Sequence, residues 1–300
     1  MTQTDAPSQQ FDLGALTEPV GRVEAFLDRF LADRPLPDNL REAIRYALLG
    51  GGKRLRPILV LHACRAVGGE FEHALPPAAA IEMIHAFSLV HDDLPAMDDD
   101  DLRRGRPTLH RHTSEAMAIL AGDAMTSLAF ELILTRVADR ELTCRCTAEL
   151  TTATSDMIAG QVYDTLPDFD EAMPPLDRLK TIHRHKTGAL LRAACRMGGI
   201  CGGASESQLG ALTRYAEAIG LMFQVVDDLL DVTQTTEQLG KAAGKDADKG
   251  KLTYPGLLGI DASRAEVERL KGEADAALEE LGEFARPLRE LCHYMAVREK

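Results

Sequence analysis

Apolar residues recur at helical spacing along almost the whole chain, and no stretch alternates as a half-buried strand would. The pattern predicts an all-α protein. Helices are expected over 18–33, 38–50, 54–68, 75–94, 114–138, 142–160, 176–184, 187–202, 207–235, 262–282 and 285–299. The breaks fall where Pro and Gly cluster, at 35–37, 50–52, 68–77, 105–107, 167–175 and 240–250. Several of these helices are long and Ala-rich, which suits close antiparallel packing in a bundle. No low-complexity linker divides the chain, so 18–300 is expected to be a single domain and 1–17 a flexible N-terminus.

Composition narrows the classes. The 300 residues are 45% hydrophobic, enough for one large core, and carry a net charge of −13, which argues against nucleic acid or an anionic membrane as partner. The six cysteines form no C-x-x-C pair, and the C-R-C at 144–146 lacks a second pair at zinc spacing, so reduced thiols are expected. The first residues show no basic and apolar leader, and no uninterrupted apolar run of about 18 residues occurs. A cytoplasmic protein without membrane insertion is expected.

The acidic excess is concentrated in two places. In IEMIHAFSLVHDDLPAMDDDDLRRGRP, Ile81 to Pro107, Asp92, Asp93 and Asp98 to Asp101 follow an apolar helical pattern and precede Arg103 and Arg104. Such carboxylates repel one another unless cations sit among them, and Mg2+ favours one or two carboxylates beside waters and phosphate oxygens. The two Arg forks can hold phosphate oxygens directly, so the segment implies a diphosphate substrate. Asp92 and Asp98 do not share a helical face, but Pro95 should stop or kink the helix near Asp93 and let Asp98 swing back. The second place is FQVVDDLLD, Phe223 to Asp231. Gln224, Asp227 and Asp231 lie on one face with Gly220, beside an apolar stripe of Ile219, Met222, Val226 and Leu230, so acids leave a helix otherwise built for burial.

Three further segments carry charge toward an anion. GGGKRLRP, Gly50 to Pro57, combines glycines, Lys53, Arg54 and Arg56 with a helix N-terminus; it is not a Walker A loop, and a plain basic turn is the alternative. In HRHKTGALL, His183 and His185 point to different faces, which disfavours zinc, while Lys186 and Thr187 at an apolar helix start suit ligand contacts. Lys241, Lys245, Lys249 and Lys251 lie on a Gly-rich loop that could close over phosphate or simply be solvated.

Taken together, DDLPAMD, RRG, GGGKRLRP, HKTGA and FQVVDDLLD resemble the trans-isoprenyl diphosphate synthases, most nearly the bacterial farnesyl diphosphate synthases, from about Ala47 to the C-terminus. The resemblance implies the all-α isoprenoid synthase fold, an antiparallel bundle around a deep central cavity, and a homodimer. It implies Mg2+, three ions with diphosphate bound: Asp92 and Asp98 for two, Asp227 with Asp231 near it for the third. Arg103, Lys186, Lys241 and Lys251 would hold the allylic diphosphate, and Lys53, Arg56, His85 and Arg104 isopentenyl diphosphate. Thr187 and Gln224, with Lys186, would face the developing allylic cation. Phe87, five residues before Asp92, would floor the cavity at fifteen carbons by inheritance from the family, although an ideal wheel places Ser88 under Asp92 better. Rival readings are a geranylgeranyl or longer-chain synthase, a class I terpene cyclase, a phosphohydrolase built on His91 and Asp92, and an inactive partner subunit. The cyclase reading expects a more aromatic pocket than 5% aromatics without Trp provides.

Overall fold

The computed structural model describes residues 13–233 and 251–298. Among them the chain is helical apart from one small hairpin. In order come α1 (Leu13–Thr17), α2 (Val20–Ala32), α3 (Asp38–Leu48), α4 (Leu55–Ala66) and α5 (Phe71–Asp92). Strands β1 (Leu102–Arg103) and β2 (Arg106–Pro107) then form the antiparallel hairpin, pairing Leu102 with Pro107. The chain continues through α6 (Leu109–His112), α7 (Glu115–Arg136), α8 (Arg140–Thr165), α9 (Pro175–His183) and a π-helical turn, Arg184–Gly188, that runs without a break into α10 (Ala189–Cys201). After α11 (Glu206–Thr233) the described chain resumes before α12 (Tyr254–Leu258), α13 (Ile260–Leu278), a 3₁₀ turn (Glu279–Ala285) and α14 (Arg286–Val297).

Helices α5 and α10 are apolar on most faces and are correspondingly buried on most faces. Helix α5 packs along α7 and α4, while α10 touches α4, α5, α8 and α11, and α11 lies against α13. Glycine and alanine allow these close approaches. A Cβ on Gly220 of α11 would stand 3.1 Å from the Gly188 Cα, and one on Gly160 of α8 would collide with the Lys186 backbone. Both glycines therefore seat the π turn.

Several boundaries differ from the pattern, each for a tertiary reason. Leu13–Thr17 is helical and Leu16 is buried, with its carbonyl 3.0 Å from His62 Nε2, so order begins before residue 18. Residues 1–12 lie outside the described part. Helix α5 starts at Phe71 although Pro76 and Pro77 lie within it. Both prolines are buried, and Phe71 packs edge-on against His62 at 5.7 Å, so packing outweighs the two lost backbone bonds. Helix α8 does not stop at Gly160 but continues to Thr165. The expected gap at 185–186 is the π turn.

The six thiols are free, five of them buried and Cys144 exposed. Helix α7 is long and apolar enough to cross a membrane by length and composition, and 44% of its most apolar stretch is buried inside the protein.

Candidate active site

Helix α5 ends at Asp92, and the turn after it brings Asp98 back: the Asp98 N–H donates to the Asp92 carbonyl at 2.8 Å. Asp99 follows with φ 52°, a left-handed conformation rare for a residue with a Cβ. The nearby Asp98 carboxylate adds to the cost of ionising Asp92. Desolvation, then Asp98 and Asp93, push the Asp92 pKa up to about 6, with Lys186 and Arg103 countering only in part. Asp93 is buried and raised chiefly by desolvation, although Arg103 forks onto it at 2.7 to 3.0 Å. Arg103 is thus held by Asp93 rather than reaching into open space.

Asp92 lines a cavity of about 600 Å³. Arg56, His85, Lys186 and Thr187 are among its other polar lining groups, with Ser88, and Phe87, Met157, Ile158 and Val162 form apolar walls between α5 and α8. Phe87 and Ser88 both line it, so the wheel that favoured Ser88 separates them more sharply than the fold does. The Ser88 hydroxyl donates back to the His85 carbonyl at 3.0 Å. The Phe87 ring meets His91 edge-on at 5.8 Å, and His91 is braced on α7, its Nε2 3.1 Å from the Ile119 carbonyl. His91 is a wall brace here, which removes the metal-doublet role of the phosphohydrolase reading.

Behind His85 lies a second, smaller pocket of about 60 Å³, lined by Arg54, Glu82, His85, Arg103, Arg104 and Arg106 among others. Desolvation and then Arg56, Arg104, Arg103 and Arg54 hold His85 well below its ordinary pKa, so it stays neutral in this cationic setting. Desolvation pushes the Arg56 pKa down to about 10, and its Nε–H is buried without a hydrogen-bond acceptor. Both features describe a site short of an anion. Arg54 differs: buried in a left-handed conformation, it pairs with Glu82 at 2.7 Å and Glu24 at 2.9 Å, which outweigh desolvation and raise its pKa. It braces the GGGKRLRP loop and is not available to a ligand, a correction to counting it among that loop's anion-binding charges. Arg104 donates to the Gly51 carbonyl, tying hairpin to loop.

The π turn carries Lys186 and Thr187. Such turns break the regular ladder and are frequent at functional sites. Lys186 Nζ donates to Asp164 Oδ2 at 2.7 Å, and Lys251 Nζ reaches the same oxygen at 3.1 Å. Desolvation would raise the Asp164 pKa, but the two ammonium groups outweigh it and lower it. Asp164 was missed because Gly160 reads as a helix stop; the glycine is there because the Lys186 backbone presses on it.

On α11, Asp227 is half-buried and Arg298 Nη2 lies 3.4 Å from its Oδ1 while covering the Phe223 ring at 4.0 Å. Lys53 is lowered by desolvation and Arg298 and raised by Asp227, so the GGGKRLRP loop, the second acidic group and the C-terminus meet. Asp231 is buried, and Gln224 is half-buried one turn before Asp227, outside the walls of both cavities. Arg298 had no signal in the pattern beyond a single charge near the chain end. Lys241, Lys245, Lys249 and the rest of their Gly-rich loop before Lys251 lie outside the described residues. Among the described residues, no three His, Cys, Asp or Glu side chains converge as a self-sufficient metal site.

Residues 37–286 match the polyprenyl synthetase family. Geranylgeranyl pyrophosphate synthase 11, chloroplastic, of Arabidopsis thaliana is 49% identical over 87% of this chain and 75% of its own. The chloroplastic geranylgeranyl pyrophosphate synthase of Catharanthus roseus is 47% identical over 92% of this chain and 78% of its own. Among solved structures, an FPP/GFPP synthase from Zymomonas mobilis superposes with a TM-score of 0.82 at 35% identity, covering 95% of this chain and all of that one (100%). The fold is that of the isoprenoid synthases. The plant relatives overturn the cytoplasmic expectation: they are chloroplastic, and the leader pattern sought at the N-terminus is that of secretion, which transit peptides do not share.

Proposed function

The chain belongs to the polyprenyl synthetase family and is a prenyltransferase of isoprenoid biosynthesis; on that premise we propose that it makes farnesyl diphosphate from isopentenyl diphosphate and dimethylallyl or geranyl diphosphate. The observation that carries this reading is the 600 Å³ cavity whose lining combines apolar walls with Asp92, Arg56, His85, Lys186 and Thr187. An apolar chain fits the walls and a diphosphate fits the charged groups. Asp92 and Asp98, with Asp227 and Asp231 on α11, are the carboxylates for Mg2+, which when bound stabilises charge on the leaving diphosphate.

Lys186, Lys251 and Arg103 are to hold the allylic diphosphate, and each is parked on a carboxylate, Asp164 or Asp93, whose oxygens resemble those of phosphate. Lys241, outside the described residues, joins them in this reading. Lys53, Arg56, His85 and Arg104 take isopentenyl diphosphate, the partner anion for the buried Arg56 Nε–H. The allylic C–O bond then breaks and diphosphate leaves with the electron pair. Thr187 and Gln224 offer oxygens to the cation, and the cavity wall keeps water away. The isopentenyl double bond forms the new C–C bond, and the proton on the adjacent carbon passes to the released diphosphate.

The chain works as one domain, with Leu16 already part of its core, and as a homodimer, with Ile119, Leu120 and Leu134 exposed on α7 as the apolar surface for a second copy. Phe87 sets the length at fifteen carbons. The relatives named as geranylgeranyl synthases favour twenty as the second reading. Product analysis with Mg2+, isopentenyl diphosphate and geranyl diphosphate separates them: farnesol after dephosphorylation supports Phe87 as the floor, and geranylgeraniol refutes it. Phe87→Ala should shift the product to longer chains at similar turnover.

A further inference from the structure

Two acids on α11 are buried, Asp228 and Asp231, and Asp228 is tied to the start of α12. It is 7% exposed, its Oδ2 accepts the Tyr254 backbone N–H at 2.9 Å, and it lies 3.6 Å from His183 Nε2. Tyr254 is completely buried, and its ring lies parallel to the His183 imidazole, 11° apart with centroids at 6.0 Å. His183 closes α9 immediately before the π turn. One carboxylate therefore joins three segments: α11, the entry to the π turn, and the start of α12.

The stretch from Lys251 to Tyr254 is fastened at both ends. Lys251 Nζ reaches Asp164 on α8, beside Lys186 Nζ, and the Tyr254 amide is held by Asp228. Thr253 caps the turn between them, its hydroxyl accepting the Gly256 N–H at 3.2 Å. A buried carboxylate is costly unless its lone pairs are used. Here one oxygen is used on a backbone amide, a bond that sets Asp228 apart from Asp231, which is buried to a similar degree.

We infer that Asp228 is a positioning residue and not a cation ligand: by holding the Tyr254 amide it sets where the Lys251 ammonium stands beside Asp164 and Lys186. The inference rests on the prenyl-transfer reading of the same site. Asn at this position keeps a carbonyl oxygen for the amide but offers no charge to a cation, so Asp228→Asn separates the two roles and Asp228→Ala removes both.

With the full-length enzyme, Asp228→Asn should keep kcat, KM for geranyl diphosphate and the Mg2+ requirement within about threefold of wild type. Asp228→Ala should lose about 10²-fold in kcat/KM, as expected when a charged group near the reacting atoms is misplaced by about 1 Å. Amide hydrogen exchange provides a readout independent of turnover: the peptide containing Tyr254 should exchange faster in Asp228→Ala and not in Asp228→Asn. Asp228→Asn as inactive as Asp228→Ala, with a raised Mg2+ requirement, would overturn the inference. So would unchanged exchange at Tyr254 in Asp228→Ala. If wild type itself elongates nothing, the prenyl-transfer reading fails, and the exchange comparison alone decides whether the tether exists.

Discussion

The two acidic groups have similar composition and opposite construction. The first, Asp92 to Asp101, follows the end of α5, where Pro95 stops the ladder and folds Asp98 back toward Asp92. Its leading carboxyl is pushed up to about 6 by desolvation and by neighbours of the same sign. The second, Asp227 to Asp231, sits in the unbroken α11, with Asp228 bonded to the Tyr254 amide and Asp227 beside Arg298. One group holds a carboxyl whose charge its surroundings disfavour; in the other, Asp227 and Asp228 already have partners within the protein. A D-D-x-x-D-like pattern thus does not by itself say which acids are for metal.

The sharpest test of this contrast is activity. Asp92→Asn and Asp98→Asn should each lower kcat/KM by about 10³-fold, and Asp227→Asn by about 10²-fold, in steady-state assays at saturating Mg2+. Equal losses at Asp92 and Asp227 would erase the asymmetry. Next, Asp164→Ala releases Lys186 and Lys251 from their shared oxygen. It should cost about 30- to 100-fold in kcat/KM for the allylic substrate, with a smaller change for isopentenyl diphosphate.

Stability should move in opposite directions. Without divalent cations at pH 7, Asp92→Asn removes a charge that burial disfavours and should raise the thermal midpoint, worth at most ~3 kcal/mol for a carboxyl displaced from its ordinary 3.8 to about 6. Asp228→Ala should lower the midpoint by ~1–3 kcal/mol, since the Tyr254 amide loses its acceptor. A destabilised Asp92→Asn protein would contradict the reading of Asp92 as a disfavoured charge.

The smallest effect is the pH dependence of the cation-free protein. Because the folded pKa of Asp92 is raised, its contribution to stability is full below about pH 3.8 and fades as pH rises through about 6. His85 has the opposite sign: its folded pKa is depressed, so its contribution is present above about 6.5 and fades as pH falls below that value. Thermal melts from pH 4 to 8 should show the first slope abolished in Asp92→Asn and the second in His85→Gln.

Much of this molecule is legible before folding. The helical period, the Pro and Gly breaks and the Pro95 turn led to the all-α bundle and to Asp98 returning toward Asp92, because local sterics and burial periodicity decide those features. That Asp92, Lys186 and Arg56 carry charge beside apolar helical segments was equally plain, and all three line the same cavity. Asp164 and Asp228 were not legible. Asp164 lay past a glycine that looked like a stop, and Asp228 differed from Asp227 by one position on one helix.

The sequence by itself determined the helices, the acidic and basic segments and the class of reaction they suit. Only the tertiary structure decided which charges are already paired: Arg54 to Glu82, Arg103 to Asp93, Lys186 and Lys251 to Asp164, and Asp228 to the Tyr254 amide. The physical reason is that partners separated by 10 to 87 positions meet only when helices pack, and a charge's pKa depends on that encounter and on the water it loses, neither of which is a local property of the chain.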